Sequence, residues 1–573
     1  MGKKRRKSRP ALLREEQVPF SVPAKFALAL ILALQAFLGL SFIRSAAPTY
    51  DESVHLASGY SYWHTGRYRM NIMDHPPLAE MWAALPLRFM KPGMMTSHRD
   101  FKNARLYHFS DAFLFQNTVG GERMMNAART FLFLTLSALL AWGLLTWAYR
   151  LGGPTAAVGA AAAAAFCPVL ISNLALAGTD GVSSVFFFLV FRLLSPAERS
   201  RRTWVAAGLC AGLALAAKFN MIILLPMAGG LVAADFWLRG RESRAEGKRR
   251  PEFPWAGCAL AALGAAAALV LVYRVTELPY YFKGLAATIQ RLDKGRSAFL
   301  LGAYSVTGFW LYFPAALAVK TPLPTLLFAS VSLIRRLRNL RRETLWIAGP
   351  LLGYFAVALT AKVQIGVRHL LPIMPFLVLL AGCGAARLWE AGGKKRWAAA
   401  AGALWLTLSV LNVHPYQLAY FNEAAGGPAN GYRWMVDSNL DWGQDLKTLG
   451  AELRARGGPP IYLAYFGSAD PAAYGIRYVP AGMCCNVTRG GDAVDPAADG
   501  KVLFAVSATN LQAVYFADKS LFSWLQSRRP EKVLGHSIFL YDLTEDAEGR
   551  RLLARLVALA TGDSGRAKSL LLQ

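Results

Sequence analysis

The chain has 573 residues, 54% of them hydrophobic and only 17% charged, with a mean hydropathy of +0.30. Soluble domains carry about 25% charged residues, and this composition excludes a disordered chain, a collagen-like repeat and a disulfide-stapled secreted miniprotein. Lysine and arginine total 63 against 35 aspartates and glutamates, a net charge of +28; in a soluble protein that surplus would suggest nucleic acid, but its placement along the chain points to a membrane instead.

Apolar cores fall at 26–43, 130–149, 155–173, 180–195, 204–218, 221–238, 255–273, 310–334, 344–361, 370–389 and 397–413. A crossing needs about 20 residues, so the pattern predicts an α-helical polytopic membrane protein of roughly eleven transmembrane helices. The basic clusters Lys3–Arg9, Arg199–Arg202, Arg239–Arg250, Arg335–Arg342 and Lys394–Arg396 then share one side. By the positive-inside rule that side is the cytoplasm. The expected organisation is a basic cytoplasmic N-terminus over 1–25, a membrane domain over 26–413 with a first outer loop at 44–128, a further outer segment at 274–309, and an outer domain over 414–573. Cys167, Cys210, Cys258 and Cys383 lie in apolar stretches, Cys484 and Cys485 are adjacent, and no zinc spacing occurs. Asn486-Val487-Thr488 matches a glycosylation acceptor, a tripeptide common by chance.

The first outer loop carries the densest chemistry. Tyr50-Asp51-Glu52-Ser53-Val54-His55 leads through Tyr62-Trp63 to Gly66, and Asp74-His75-Pro76-Pro77-Leu78 follows. Two short helices are implied, the first from Asp51 to Gly66 and the second with Pro76 or Pro77 in its first turn. Glu52, His55, Tyr62 and Trp63 share much of one helical face, an acidic and aromatic set suited to a sugar. Asp51 is also a preferred N-cap residue. Two acids beside a span end are costly unless used.

These residues resemble the lipid-carrier-dependent glycosyltransferases of the C-type fold, specifically the family 39 group of protein O-mannosyltransferases and bacterial lipid A aminoarabinose transferases. The matching pieces follow in order over roughly 26–413: Asp51-Glu52, His75-Pro76-Pro77-Leu78, Arg129, Thr179-Asp180, Lys218, Gly308–Pro314, Lys320-Thr321-Pro322-Leu323-Pro324 and Arg368-His369-Leu370-Leu371-Pro372. The resemblance implies transfer of a sugar from a polyprenyl-phosphate donor at the outer face of the membrane, with inversion and with the first-loop acid, Asp51 beside Glu52, as general base. A general base must reach the acceptor proton, and the leaving lipid phosphate needs positive charge. Candidates for that charge are Arg368, His369, Lys320, Lys218 and Lys362, each of which could instead be a snorkelling cation. His55, Tyr62, His75, Arg129 and Asp180 are candidate substrate contacts, with Asp180 either orienting Arg129 or a sugar, or capping its span. The family resemblance implies no metal, although first-loop acids bind a divalent cation in some enzymes of this fold.

In the outer domain the string Asp437-Ser438-Asn439-Leu440-Asp441-Trp442-Gly443-Gln444-Asp445-Leu446 stands out. Its alternating polar positions suggest a calcium loop, but Trp442 stands where such loops need glycine. It reads better as a capped helix start, or as a carbohydrate contact in which Trp442 stacks on a sugar while Asp441 and Gln444 bind hydroxyls. Strands are expected at 461–466, 502–506 and 537–541 and helices at 441–456 and 509–527, a small α/β domain. The expected partners are the lipid bilayer, the lipid-linked donor and an acceptor hydroxyl on a glycan, lipid or protein, at a bacterial inner membrane, with no nucleic acid. The alternative is a transporter or lipid flippase, since many spans and intramembrane cations also suit a translocation path; the absence of repeated halves and the gathering of polar residues in outer loops argue against it.

Overall fold

The computed structural model describes residues 19–195, 199–338, 341–482 and 491–563, with 565, 567 and 570. The N-terminal basic run and the Cys484–Thr488 segment lie outside the described residues. Each apolar core read from the sequence is built around helix. Val22–Ser45, Gly121–Ala165, Phe219–Ala245, Trp255–Glu277 and Val367–Glu390 are long and apolar enough to cross a membrane alone, and two sharply bent pairs bring the number to 7. The shorter or more charged helices Arg201–Ala217, Arg342–Leu359 and Gly393–Leu411 occupy three further expected crossings. The protein is a multi-pass membrane protein.

In lipid, helices gain no hydrophobic drive from meeting one another, so close backbone approach matters. Arg201–Ala217 packs on Trp255–Glu277 through Gly208 and Gly212, where a Cβ would stand 2.1 Å from the Ala261 carbonyl oxygen and 2.3 Å from that of Ala265. Gly382 meets Ala160 in the same way. The stretch Gly121–Ala165 is two helices joined at a kink at Gly152 and Gly153, with Pro154 opening the second; the first fills one expected crossing, and the second shares the next with Pro168–Ala175.

Both bends lie beside polar residues. Pro168–Ala175 meets Thr179–Leu194 at 116°, and Tyr312–Lys320 meets Leu323–Arg338 at 111°. Broken helices free backbone groups that hydrocarbon cannot satisfy. At the first break the Ala177 N–H donates to Glu52 Oε1 at 2.7 Å. At the second, Asn422 Nδ2 donates to the carbonyls of Ala318 and Thr321 at 2.6 and 2.9 Å. The outer elements thus complete the hydrogen bonding of the membrane helices.

The two short helices of the first outer loop are present as Glu52–Thr65, closed by Gly66 at φ 70°, and Leu78–Ala83, entered through Pro77. The outer domain holds a five-stranded sheet. Its order is β4 (Tyr478–Pro480), β3 (Ile461–Ala464), β5 (Leu503–Ser507), β7 (Ile538–Asp542) and β6 (Lys532–Leu534), after the hairpin β1 (Ala298–Leu300) and β2 (Ala303–Ser305). β3 runs parallel to β4 and β5 with Tyr462 opposite Phe504, and β7 runs antiparallel to β5 and β6. Two expected helices differ. The first begins only at Leu446, because 437–445 is drawn out to bind distant partners; the second is cut to Ala508–Leu511 and a turn at Ser523–Ser527, with Ala513 at φ 47° ending the first piece.

Lys320 pins the domains together. Its ammonium is buried and donates to the carbonyls of Leu418 at 2.9 Å, Asn439 at 2.5 Å and Tyr420, with the Phe421 ring 4.3 Å away. This corrects the expectation of a phosphate-binding Lys320, since its donors are already committed. Lys320→Met leaves these carbonyls without their donor, a loss on the order of 3 kcal/mol. Thermal unfolding in detergent should show a clearly lowered midpoint, and an unchanged midpoint would remove the pin from the account.

Candidate active site

The two adjacent acids of the first outer loop take opposite roles. Glu52, the first residue of its helix, points inward and is 1% exposed. Arg129 donates to it through Nε at 2.8 Å and Nη2 at 2.5 Å, Thr49 adds its N–H and hydroxyl at 2.8 and 2.9 Å, and Ala177 completes the set. Burial opposes the charge on Glu52, but Arg129 and these donors together hold its carboxyl below the usual range. Arg129 also donates to the carbonyls of Ala46 and Ala47 at 2.8 and 2.9 Å. Neither residue retains a group for substrate: Glu52 as a catalytic acid and Arg129 as a substrate contact are corrected to a buried brace.

Asp51 faces the other way. It occupies the N-cap position but makes no side-chain capping bond, and its side chain is 29% exposed. Its Oδ2 lies 3.4 Å from Arg368 Nη1, which is 3.8 Å from Asp180 Oδ2; Asp180 Oδ1 in turn accepts from Lys218 Nζ at 2.5 Å. Asp51, Arg368, Asp180 and Lys218 thus form one chain of alternating charge at the ends of four different elements. Asp180 pairs with Lys218 and Arg368, and Arg129 is not its partner. Arg368 is only loosely held by its two acids, and its Nε is buried with no hydrogen-bond partner among the described residues. His369 lies among the same charges with its ring 6.1 Å from Phe313. Lys362 does not join them: it is half exposed and sits by Asp293 at 3.7 Å.

Behind Asp51, His55 Nδ1 meets Glu80 Oε1 at 2.9 Å, Asn71 Nδ2 donates to the same oxygen at 2.5 Å, and His75 packs edge-on to His55 at 5.0 Å. Burial opposes the His55 charge, but Glu80 and Asp51 hold its pKa above the ordinary value. Burial raises the Glu80 carboxyl, and burial with the charges of His55 and Lys218 pushes His75 well down. Tyr62 is buried against Tyr68 at 4.9 Å, and Trp63 donates to the Met81 carbonyl at 2.7 Å. The shared helical face therefore packs on Leu78–Ala83, and Tyr62 is not open to a sugar. Glu80 is absent from the sequence-based set; its one signal is a lone carboxylate in an otherwise apolar short helix.

The outer-domain string also differs from expectation. Asp441 is buried with Oδ2 accepting from the Thr509 N–H at 2.7 Å, and burial pushes its carboxyl up to about 7. Gln444 is spent on Leu440 and Asp445 at 2.9 and 2.7 Å. Trp442 is buried, its ring covered by the Arg368 guanidinium 4.0 Å from the centroid. None of the three is free to bind a sugar. The expected helix cap, Asp437 or Ser438, is not formed: Asp437 sits at φ 56° in a short turn and is bonded by the Ser438 N–H and the Tyr515 hydroxyl. Among the described residues no group of three or more His, Cys, Asp or Glu side chains is arranged to hold a metal ion.

No protein-family model and no curated protein matches the sequence. Among solved structures, ArnT from Cupriavidus metallidurans bound to undecaprenyl phosphate is similar with a TM-score of 0.50 at 13% identity, covering 90% of this chain and 98% of that one. The oligosaccharyltransferase of Archaeoglobus fulgidus in its apo form gives a TM-score of 0.47 at 10% identity over 96% and 73%. The fold is the C-type fold of membrane glycosyltransferases.

Asp445 supplies a pH test. Burial, reinforced by Asp441, pushes its carboxyl up to about 8 while it accepts from Ser537 Oγ at 2.5 Å. The unfolded chain ionises this acid near 3.8, so the folded state holds the extra proton and stability is lost as pH rises between about 4 and 8. Asp441 acts in the same direction up to about 7. Asp445→Asn keeps the acceptor and removes the titration; its unfolding midpoint should fall less than that of the parent between pH 5 and 8. Parallel curves would show that Asp445 is ionised in the folded protein.

Proposed function

We propose that the protein is a membrane glycosyltransferase that moves a sugar from a polyprenyl-phosphate donor to an acceptor hydroxyl at the outer face of a bacterial inner membrane, with inversion. The observation that supports this most is the half-open Asp51 carboxylate beside a loosely paired Arg368, at the outer ends of the spans in a C-type fold. Glu52 is fully engaged, so of the adjacent acids only Asp51 can accept a proton. The acceptor oxygen attacks the anomeric carbon from the side opposite the phosphate, Asp51 takes the hydroxyl proton, and the bond from that carbon to the phosphate oxygen breaks. The leaving polyprenyl phosphate is met by Arg368 and Lys218, with His369 beside them. A single displacement at that carbon inverts its configuration. The binding of undecaprenyl phosphate to ArnT, which shares the fold, supports a lipid-phosphate donor.

Arginine suits the phosphate because its fork makes two parallel bonds to oxygen. Lys218 adds a compact second charge. Both are paired with acids, Arg368 with Asp51 and Lys218 with Asp180, which keeps the site from carrying unpaired charge at the edge of the hydrocarbon. The acceptor class left open by the residues is a hydroxyl of a glycan, lipid or protein.

The test incubates purified protein with radiolabelled polyprenyl-phosphate monosaccharides and water or a glycan as acceptor. Asp51→Asn should lower release or transfer by about 10³-fold, the scale of a lost general base, with the unfolding midpoint unchanged. Full activity in the variant would sink the assignment. Lipid or sugar crossing sealed vesicles without transfer would replace this reading by a transporter.

A further inference from the structure

The string 437–445 is the one distinctive sequence feature that the reaction chemistry leaves without a role. In the folded protein it is bonded beside both Asp51 and Arg368. Ser438 Oγ donates to the Ile365 carbonyl at 2.6 Å, and the Val367 N–H donates to Asn439 Oδ1 at 2.8 Å, so the backbone just before Arg368 is held on both sides. The Ala47 N–H donates to the Gln444 carbonyl at 2.8 Å and the Tyr50 N–H to the Trp442 carbonyl at 3.0 Å. The residue following Tyr50 is Asp51. The Asn439 carbonyl takes a bond from Lys320, and the Trp442 ring lies under the Arg368 guanidinium.

We propose that the string positions Arg368 for the donor phosphate, with Trp442 as the positioning residue that carries its guanidinium while it exchanges Asp51 for phosphate. This inference rests on the proposed polyprenyl-phosphate chemistry. Its physical basis is the way Arg368 is shared. Neither carboxylate holds it closely, at 3.4 and 3.8 Å, and its Nε has no hydrogen-bond partner among the described residues, whereas the indole lies against it at 4.0 Å. A cation over an indole is attracted without using any of its N–H donors. The guanidinium can therefore keep its plane on Trp442 and still turn its donors from carboxylate to phosphate. A carboxylate ladder in place of the indole would fix those donors and compete with the phosphate.

The exchange also ties donor binding to the base. Arg368 sits against the carboxylate that must accept a proton; a phosphate that draws Arg368 away leaves Asp51 free to do so. Ser438 and Asn439 keep the pivot in place, because the residues they hold, Ile365 and Val367, stand three residues and one residue before Arg368. The hydroxyl of Ser438 lies close enough to Gly366 that a Cβ there would stand 2.2 Å from it, so the strap and the loop interlock without space for slippage.

The experiment measures binding of undecaprenyl phosphate, without sugar, to the full-length protein in detergent, together with steady-state kinetics on the active lipid-linked donor. Trp442→Leu should weaken binding about tenfold, the order expected for loss of a desolvated cation–indole contact, and raise the donor KM in proportion while kcat at saturating donor changes less than about twofold. Trp442→Phe keeps an aromatic face and should restore most of the affinity. Ser438→Ala, a small change that survives where a Trp442 variant fails to fold, should weaken binding in the same direction by about threefold, the worth of one neutral hydrogen bond. If the parent protein binds undecaprenyl phosphate and both Trp442→Leu and Ser438→Ala bind it equally well, the positioning role is wrong and the donor assignment stands. A fall in kcat with unchanged KM would also overturn it. Failure of the parent to bind the lipid phosphate would overturn the donor assignment and this inference together.

Discussion

The buried pair of Glu52 and Arg129 is the constraint on which the outer half of the molecule depends. Two opposite charges taken fully from solvent persist only when every remaining donor and acceptor is met. Here they are met by the carbonyls of Ala46 and Ala47 at the end of the first span, by Thr49 before the loop helix, and by Ala177 at the break in a bent span. One ion pair therefore fastens the first, second and fourth expected spans to one another. Asp51 gains its place from this: it is the residue just before Glu52, and that neighbour is fixed.

The division between the two acids follows from helix geometry. Successive residues on a helix point about 100° apart, so when Glu52 is drawn inward to Arg129, Asp51 must face elsewhere, toward the rim. There it meets Arg368 from a loop more than 300 residues later. The chain of charge through Asp51, Arg368, Asp180 and Lys218 is stabilised by its supports. Asp180 sits in the first turn of Thr179–Leu194 and Lys218 at the C-cap of Arg201–Ala217. Both placements suit the helix dipole, with an acid at an N-terminus and a base at a C-terminus.

Much of this was legible in the sequence in kind but not in assignment. Hydrophobic length marked the spans, because lipid imposes one rule on every crossing, and the first-loop acids stood out because charge beside hydrocarbon is costly. Which acid is buried was hidden, since it depends on Arg129, 77 residues away. Lys320 was read as a phosphate ligand because its position at a span end fits that role equally well; only its three carbonyl partners, on a separate domain, assign it to structure. Trp442 was read as a sugar platform for the same reason, as an indole face has no label until its cation is known. The helix expected from 441 starts late because the backbone of 437–445 bonds to Ala47 and Tyr50 and its Ser438 and Asn439 side chains bond to residues 365 and 367, which no local propensity records.

The helix breaks bring these strands of the molecule together at one depth. A polyprenyl chain belongs in hydrocarbon and its phosphate in a polar site, so an enzyme for such a lipid needs charged groups level with the ends of its spans. A helix that ends within the protein supplies them at its terminus, as Lys218 and Asp180 do. The bends at 116° and 111° end helices within the protein, and the freed backbone groups are bonded by Glu52 and Asn422 from the outer loop and outer domain. Arg368 shows the same logic from the other direction. It enters the Val367–Ile373 turn that leads into a spanning helix, where the positive end of the helix disfavours a cation. Asp51, Asp180 and the Trp442 ring offset that cost, and two of these three supports come from outside the membrane helices. The outer loop and the outer domain are therefore part of the site itself: without them the membrane bundle would hold an arginine at a helix N-terminus against Asp180 alone.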